Sequence, residues 1–253
     1  MSSIAISIIT LACLTAGFLL GTRLQHRLPG HHLSKESQDT VKLGTGIVAT
    51  MSALILGLLV SSAKNSFDTL NIAIAENGAR IIQLDHLLAE YGPETRACRD
   101  RLKNSLAERV AKIWNKAAPA ESGLLAVEKS TAIANLQTSL SVLIPGNDLQ
   151  KSALTQARQI SDDIWQKRLL MLEEQQEPVT PVFLVLLVFW LTMLFLSIGL
   201  FAPGNGTVFA VLLVCALSVA SAVFLILEMS HPLDGLIKVS DAPLLKALEL
   251  IGH

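Results

Sequence analysis

Long apolar stretches without any charged residue are the dominant pattern of this chain. They are Ile4–Thr22, Leu43–Ala63, Val182–Ala202 and Thr207–Leu227. Each is about 20 residues long, so each can cross a hydrocarbon core of about 30 Å as a helix. Two precede and two follow a charged section, Lys64–Glu177. The pattern predicts an all-α membrane protein with four transmembrane helices and an extramembrane helical bundle between the second and the third.

Turn signals divide the charged section into predicted helices. The breaks are Tyr91-Gly92-Pro93, Ala118-Pro119-Ala120 and Pro145-Gly146, and Asn147 or Asp148 offers an N-cap after the last of them. The helices predicted between these breaks are Lys64–Glu90, Glu94–Ala117, Gly123–Leu143 and Leu149–Glu177. No alternating run of β-branched residues indicates a strand.

The first of these helices carries an apolar seam with 3-4 spacing over three heptads. This bundle seam consists of Phe67, Leu70, Ile74, Asn77, Ile81, Leu84 and Leu88. Continued backward, the spacing gives Ala63, Val60, Leu56, Ala53, Ala49 and Gly46, so one helix would carry the seam out of the membrane. Asn77 is its polar member, and a buried Asn can set register and oligomeric state. Two partners remain open, the chain's own Leu149–Glu177 helix and a second subunit.

Small residues follow one side of the second apolar stretch. We call Gly46, Thr50, Ala53 and Gly57 the α2 stripe, and it is a candidate surface for pore lining or helix packing. Small side chains allow helices to approach closely in lipid. The hydroxyl of Thr50 fits two roles, lining a water-filled path or bonding a carbonyl of its own helix.

Composition and charge narrow the function classes. The chain is 51% hydrophobic and 16% charged, with a formal net charge of −1. The charged section is close to neutral, so it lacks the basic surface that binds nucleic acid. The three cysteines form no disulfide or metal-binding pattern, and no nucleophile elbow, P-loop or zinc-protease motif occurs. We therefore expect neither an enzyme nor a bound metal or cofactor.

Two clusters of ionisable side chains stand out, one of His26, His31, His32 and Asp39 and one of Arg96, Arg99 and Lys103. The first lacks the convergent spacing of metal ligands, because adjacent histidines rarely bind one ion. The second occupies one helical face, which is either a solvated surface or the contact surface of an anionic partner.

Membrane orientation follows from the linker Arg23–Lys42. It contains Arg23, Arg27, Lys35 and Lys42 against Glu36 and Asp39. Short loops rich in Lys and Arg remain cytoplasmic. The helical section and both termini are then expected on the periplasmic side of a bacterial inner membrane.

The segment after the last apolar stretch is too apolar for a free tail. Glu228 ends that stretch and Lys64 ends the second one on the same membrane side, which predicts an interfacial pair. Pro232 stops the helix, and a short interfacial helix is predicted over Pro243–Ile251. The predicted division is a helix pair (1–63), a bundle (64–178), a second pair (179–228) and an interfacial tail (229–253).

This tail also carries a motif, made of Glu228, Pro232, Gly235, Lys238, Ser240 and Pro243. It resembles that of the bacterial bestrophin-like (DUF4239) family, an acidic exit from the last span followed by D-x-P-F-x-G and a short basic-Ser segment. Ser230 stands where the family has Asp, and Leu233 where it has Phe. Leu56-Gly57-Leu58, Glu76 and Gly199-Leu200 are further points of similarity, and the resemblance covers about Leu43–Leu248. It implies a membrane location, and the family name suggests an oligomeric anion channel lined by second-span helices.

Two functions remain in view. The first is a homo-oligomeric, channel-like protein with the second span nearest the pore, which places the Gly46–Ala63 segment at a water-containing symmetry axis. The second is a non-conducting membrane scaffold or sensor, whose helical domain binds a partner protein while the seam is packed dry within one subunit.

Overall fold

A computed structural model describes residues 2–29, 34–114, 132–174, 181–230, 232–233 and 235–252 of this chain. The helices in this part are α1 (Ser3–Gln25), α2 (Lys35–Tyr91), α3 (Arg96–Trp114), α4 (Ala132–Ser141), α5 (Asp148–Glu174), α6 (Pro181–Phe201), α7 (Gly206–Ser230) and α8 (Ala242–Leu250), with a 3-10 turn at Pro93–Thr95. No strand occurs in these residues, and the predicted all-α class is confirmed.

Four of the helices are long and apolar enough to cross a membrane, as the apolar stretches predicted. These are Ser3–Gln25, Lys35–Tyr91, Val182–Phe201 and Gly206–Ser230. The second span and the first bundle helix form one continuous helix, α2. This helix begins at Lys35, inside the predicted linker, because the polar residues after Ser34 include no helix breaker. The Ser34 hydroxyl oxygen accepts the Ser37 N–H at 3.3 Å and caps the first turn.

The chain forms two compact units. The membrane unit comprises Met1–Ser66 and Pro178–His231, and the bundle unit comprises Phe67–Glu177 and Pro232–His253. Helix α2 contributes its first part to the membrane unit and its remainder to the bundle unit.

Within the membrane unit, α1 packs against α6 through glycine. A β-carbon on Gly17 would lie 2.8 Å from the Thr192 carbonyl oxygen, and one on Gly199 would lie 2.3 Å from the Phe18 carbonyl oxygen. Real side chains do not tolerate these distances, so the two backbones touch only because these positions lack a β-carbon. Leu14, Phe18, Phe195, Ala202 and Ala216 form the adjoining core.

The core of the bundle unit joins α2, α3, α4, α5 and α8. Its buried members include Leu84 and Leu88 of α2, Leu106 of α3, Leu140 of α4 and Ala157 of α5. Two ion pairs connect α2 with α5 at the edge of this core, Arg80 with Asp163 at 2.8 Å and Glu76 with Lys167. Exposed pairs of this kind contribute little stability, so apolar burial is the main term that holds the bundle together.

Capping side chains define where the bundle helices end and begin. Gly92 ends α2 with a φ of 132°, a conformation that favours glycine. The buried Thr95 hydroxyl then donates to the carbonyl oxygens of Leu88 and Gly92. Asn147 Oδ1 accepts the Gln150 N–H at 2.8 Å, so Asn147 is the N-cap that the sequence offered for α5. The predicted break at Pro119, the start at Gly123 and the junction at Pro178 lie outside the described residues.

The C-terminal segment, predicted to form an interfacial tail, contributes to a helical core. It belongs to the bundle unit. Val239, Leu244, Ala247 and Ile251 are all buried in the bundle core. Their apolar side chains are covered by helices of the same unit, which removes the need for a membrane surface to bury them. Contact of α8 itself with an interface stays a prediction.

Candidate functional site

The membrane-spanning part of α2 has one face that contacts the chain itself. Ser52, Leu59 and Ala63 are buried on this face. Leu59 and Ala63 pack with Leu187 of α6 and Ile226 of α7. The Ser52 hydroxyl donates to the Val48 carbonyl oxygen at 2.7 Å, which satisfies it within its own helix.

The α2 stripe lies on a second face of this helix, and the structure leaves it uncovered. Gly46, Thr50, Ala53 and Gly57 are all exposed. Apart from the adjacent backbone of α2 itself, no described atom lies within 4 Å of a β-carbon built on Gly46 or Gly57. The Thr50 hydroxyl donates to the Ile47 carbonyl oxygen at 2.8 Å, and its oxygen can still accept a hydrogen bond from outside the helix.

Large aliphatic side chains occupy the third face of the same helical segment. They are Leu43, Ile47, Met51, Leu54 and Leu58, all exposed. At 100° per residue, this face adjoins the stripe on one side and points away from the buried face. The segment therefore presents one face to its own chain, one aliphatic face and one small-sided face.

The bundle seam does not continue into the membrane along the predicted positions. Ala63 and Leu56 contact the membrane unit, but Val60, Ala53, Ala49 and Gly46 are exposed. A strict seven-residue repeat drifts by about 20° per heptad on a straight α-helix. Over the length of a span this drift carries the predicted positions away from the covered face, and Ser52 and Leu59 take their place.

Within the bundle unit, the seam is covered by the chain's own core. Leu70, Ile74, Ile81, Leu84 and Leu88 are buried there, and Phe67 is half-buried against them. The same core contains Leu154, Ala157 and Ile164 of α5, and a role of the seam in a subunit contact stays a prediction. The Asn77 side-chain oxygen is also buried, and it has no hydrogen-bond partner among the described residues. A buried polar atom without a partner lowers the free energy of unfolding, so Asn77 destabilises this core.

The predicted interfacial pair lies in the membrane unit. Glu228 is only 4% exposed, although it is a carboxylate near the end of α7. Lys64 is exposed at the end of the apolar part of α2. A contact between the two stays a prediction. Next to Glu228, the buried Ser230 hydroxyl donates to the Ile226 carbonyl oxygen at 2.7 Å.

The remaining tail-motif residues organise the connection between α7 and α8. The Val239 N–H donates to the Pro232 carbonyl oxygen at 3.0 Å and closes this connection into a loop. Gly235 is half-buried and Lys238 is exposed on that loop. The Ser240 hydroxyl oxygen accepts the Ala242 N–H at 3.2 Å where α8 begins. Pro243 lies against Gly78 of α2, where a β-carbon would approach its carbonyl oxygen to 2.9 Å.

A charged cluster that the sequence did not reveal secures the C-terminus. Asp85 is buried, and Arg99 donates to both of its carboxylate oxygens at 2.8 Å. The Gly252 N–H also donates to Asp85, at 3.1 Å, and Lys103 donates to the Ile251 carbonyl oxygen at 3.0 Å. Two of the three cations of the predicted basic face are therefore engaged within the bundle. The sequence could not reveal the contact between Asp85 and Gly252, because the two residues lie 167 positions apart in the chain.

The electrostatics of this cluster favour a charged Asp85. Burial raises the pKa of Asp85, whereas the hydrogen bonds from Arg99 and Gly252 and the charges of Arg99 and Lys103 lower it. The lowering effects win, and the pKa lies below its ordinary value. At neutral pH the carboxylate is thus an ionised anchor for the chain end.

Candidate metal ligands do not cluster in the part of the chain that the structure describes. It contains no group of three or more His, Cys, Asp and Glu that could hold an ion. His31 and His32 of the predicted linker cluster lie outside the described residues.

Comparison with known proteins identifies a family. The family described as Bestrophin-like domain matches residues 12–244. This range includes all four apolar helices in whole or in part, the α2 stripe and the tail motif. Comparison with curated proteins and with solved structures finds no match.

Proposed function

Because the chain belongs to the bestrophin-like family of multi-pass membrane proteins, we propose that it forms a homo-oligomeric, channel-like assembly with the α2 stripe nearest the symmetry axis. The observation that carries this proposal is the uncovered stripe, a small-sided helix face inside a membrane-spanning segment.

The three faces of α2 differ in what they suit. Leu43, Leu54 and Leu58 belong to the aliphatic face, which matches lipid chains. The stripe offers little side-chain surface to lipid, and its glycines allow a second helix to approach closely. Copies of α2 around an axis would cover the stripe, and the Thr50 hydroxyl oxygen would accept a hydrogen bond from water or coordinate a passing cation.

The proposed position of the subunit contact follows from which helix surfaces are already buried within one chain. The bundle seam packs into its own core, so its side chains are not available for a neighbour in this arrangement. We therefore assign the subunit contact to the stripe. The assembly acts without catalysis in this proposal. The basic residues Arg23, Arg27 and Lys35 support a bacterial inner-membrane orientation with a cytoplasmic linker and a periplasmic bundle.

Ion flux through reconstituted protein tests the channel. Purified protein in liposomes, under a chloride or potassium gradient, should conduct ions. Thr50→Trp and Ala53→Trp should abolish the flux, because a bulky ring would fill the axis. Met51→Trp and Leu54→Trp lie on the aliphatic face of the same turns and serve as matched controls that should retain it.

The outcomes separate the two functions. Loss in the stripe variants alone supports a pore along α2. Equal flux in all four variants would place the path elsewhere and contradict the proposal. Absence of flux for several ions and pH values in the unsubstituted protein would favour the non-conducting scaffold, whose bundle binds a partner protein.

A further inference from the structure

The loop between α7 and α8 exposes adjacent aliphatic side chains next to a cation. Leu236 is 75% exposed and Ile237 is 38% exposed, and Lys238 beside them is exposed too. Adjacent exposed aliphatic side chains beside a cation have the composition of segments that lie at a membrane interface. We propose that Leu236, Ile237 and Lys238 form a lipid-contacting tip that inserts into the interfacial region of the bilayer.

The base of this loop is held firmly in the bundle unit. The Val239 side chain is 2% exposed within the bundle core. The indole Nε1 of Trp114 donates to the Val239 carbonyl oxygen at 2.9 Å, and the Val239 N–H closes the loop on Pro232. Because Pro232 and Val239 are anchored in this way, insertion would cost less conformational entropy than insertion of a free segment.

Chain connectivity favours lipid over another protein as the occupant. Helix α7 is a candidate span of 25 residues, longer than the hydrocarbon core requires, and it ends at Ser230. Only six peptide steps separate Ser230 from Leu236, and such a segment reaches at most about 20 Å. Leu236 therefore lies within a chain length of about 20 Å from the end of a candidate membrane span.

The residue types match the layers of that interface. Aliphatic side chains partition into the boundary between headgroups and acyl chains, and a Lys extends its ammonium group to lipid phosphates. Lys238 adds attraction to anionic lipids. This contact is separate from the predicted interfacial helix, because Leu236, Ile237 and Lys238 precede the start of α8 at Ala242. It depends on membrane location and does not require ion conduction.

A fluorophore on the tip tests this contact in the full-length protein. In a background with Cys13, Cys98 and Cys215 replaced by Ala, a nitrobenzoxadiazole label on Leu236→Cys is measured in phosphatidylcholine nanodiscs. Lipids with a nitroxide near the headgroup should quench most of its emission, and aqueous iodide should quench little. The matched control is Asn104→Cys, an exposed polar position on α3 of the bundle. Aqueous iodide should quench most of the emission of its label, and the nitroxide lipids should quench little.

The charge contribution is measured with anionic lipid. Adding phosphatidylglycerol should increase the lipid quenching at position 236. Lys238→Gln should reduce this shift in the insertion equilibrium by up to about fivefold, the factor expected for one Lys at an anionic surface. Lys246→Gln, an exposed lysine on α8, should leave the shift unchanged.

Other outcomes would overturn the inference. Quenching by iodide at position 236 as strong as at position 104 would mean that the tip lies in water. Protection from both quenchers would mean that a protein surface covers it. Both measurements use exposed positions, so the labelled variants should retain the elution volume of the unsubstituted protein. Neither measurement depends on ion flux.

Discussion

Gly21 of α1 and Gly199 of α6 bring their helices into backbone contact: a β-carbon on Gly21 would lie 3.0 Å from the Gly199 carbonyl carbon. The same β-carbon would lie 2.2 Å from the Leu196 carbonyl oxygen. Since backbone atoms cannot move aside as side chains can, any larger residue at either position must push the helices apart. The first and third spans are thus joined by the absence of side chains at matched positions.

Substitution of Gly199 should therefore destabilise the membrane unit. We expect Gly199→Leu to lower the thermal unfolding midpoint in detergent, with a loss of about 3 kcal/mol or more from overpacking. The matched control is Gly44→Leu on α2, where no described atom lies within 4 Å of the added β-carbon. Similar midpoints for the two variants would contradict the role of the α1–α6 contact in stability.

Acid should weaken the bundle unit through Asp85. A carboxylate whose pKa is lowered by folding contributes stability above its unfolded pKa, near 3.8, and loses it as pH falls through the lower folded pKa. We measure the free energy of unfolding of the full chain by denaturant at neutral and at acid pH. Acidification should lower this free energy less in Asp85→Asn than in the unsubstituted protein. At pH 7 this substitution should cost about 2 kcal/mol, since Arg99 loses its charged partner.

Asp39→Asn provides the comparison for that experiment, because Asp39 is exposed on α2. Its acid profile should match that of the unsubstituted protein. Identical profiles for Asp85→Asn and the unsubstituted protein would show that Asp85 is not an anchor of the chain end.

Replacement of Asn77 by an apolar residue should stabilise the bundle unit. Asn77→Leu removes a buried oxygen without a partner in the described structure and adds apolar contact to the bundle core. We expect a gain of about 1 kcal/mol in unfolding free energy. Because the seam is covered within one chain, the oligomer mass in detergent should not change. Asn71→Leu, at an exposed position of α2, should bring no such gain. A changed mass for Asn77→Leu would restore the seam as a subunit contact.

Attachment of α8 should depend on Gly78. A β-carbon there would lie 2.9 Å from the Pro243 carbonyl oxygen. Gly78→Leu should displace the start of α8, and amide exchange over Ala242–Leu250 should accelerate by about tenfold or more. Ala79→Leu, one position along and exposed, should leave exchange unaffected. Unchanged exchange in both variants would show that α8 is held without the Gly78 contact.

Some of these features were visible in the sequence, and others could not be. The breaks at Gly92 and Asn147 were predicted, because capping depends on residues only a few positions apart. The uncovered α2 stripe was predicted as a small-sided surface, but its exposure was not. Which side of α2 faces the chain depends on the drift of a straight helix and on the partners that α6 and α7 supply.

The sequence by itself determined the helical class, the four apolar helices long enough to span a membrane, and the continuous helix α2. Uncharged runs of about 20 residues have few other stable environments than lipid, and this depends on composition alone. Tertiary structure decided that Asp85, Arg99 and Gly252 meet, that α8 enters the bundle core, and that Gly21 and Gly199 touch. The physical reason is that these contacts join residues far apart in the chain, and their energies depend on distances that only packing sets.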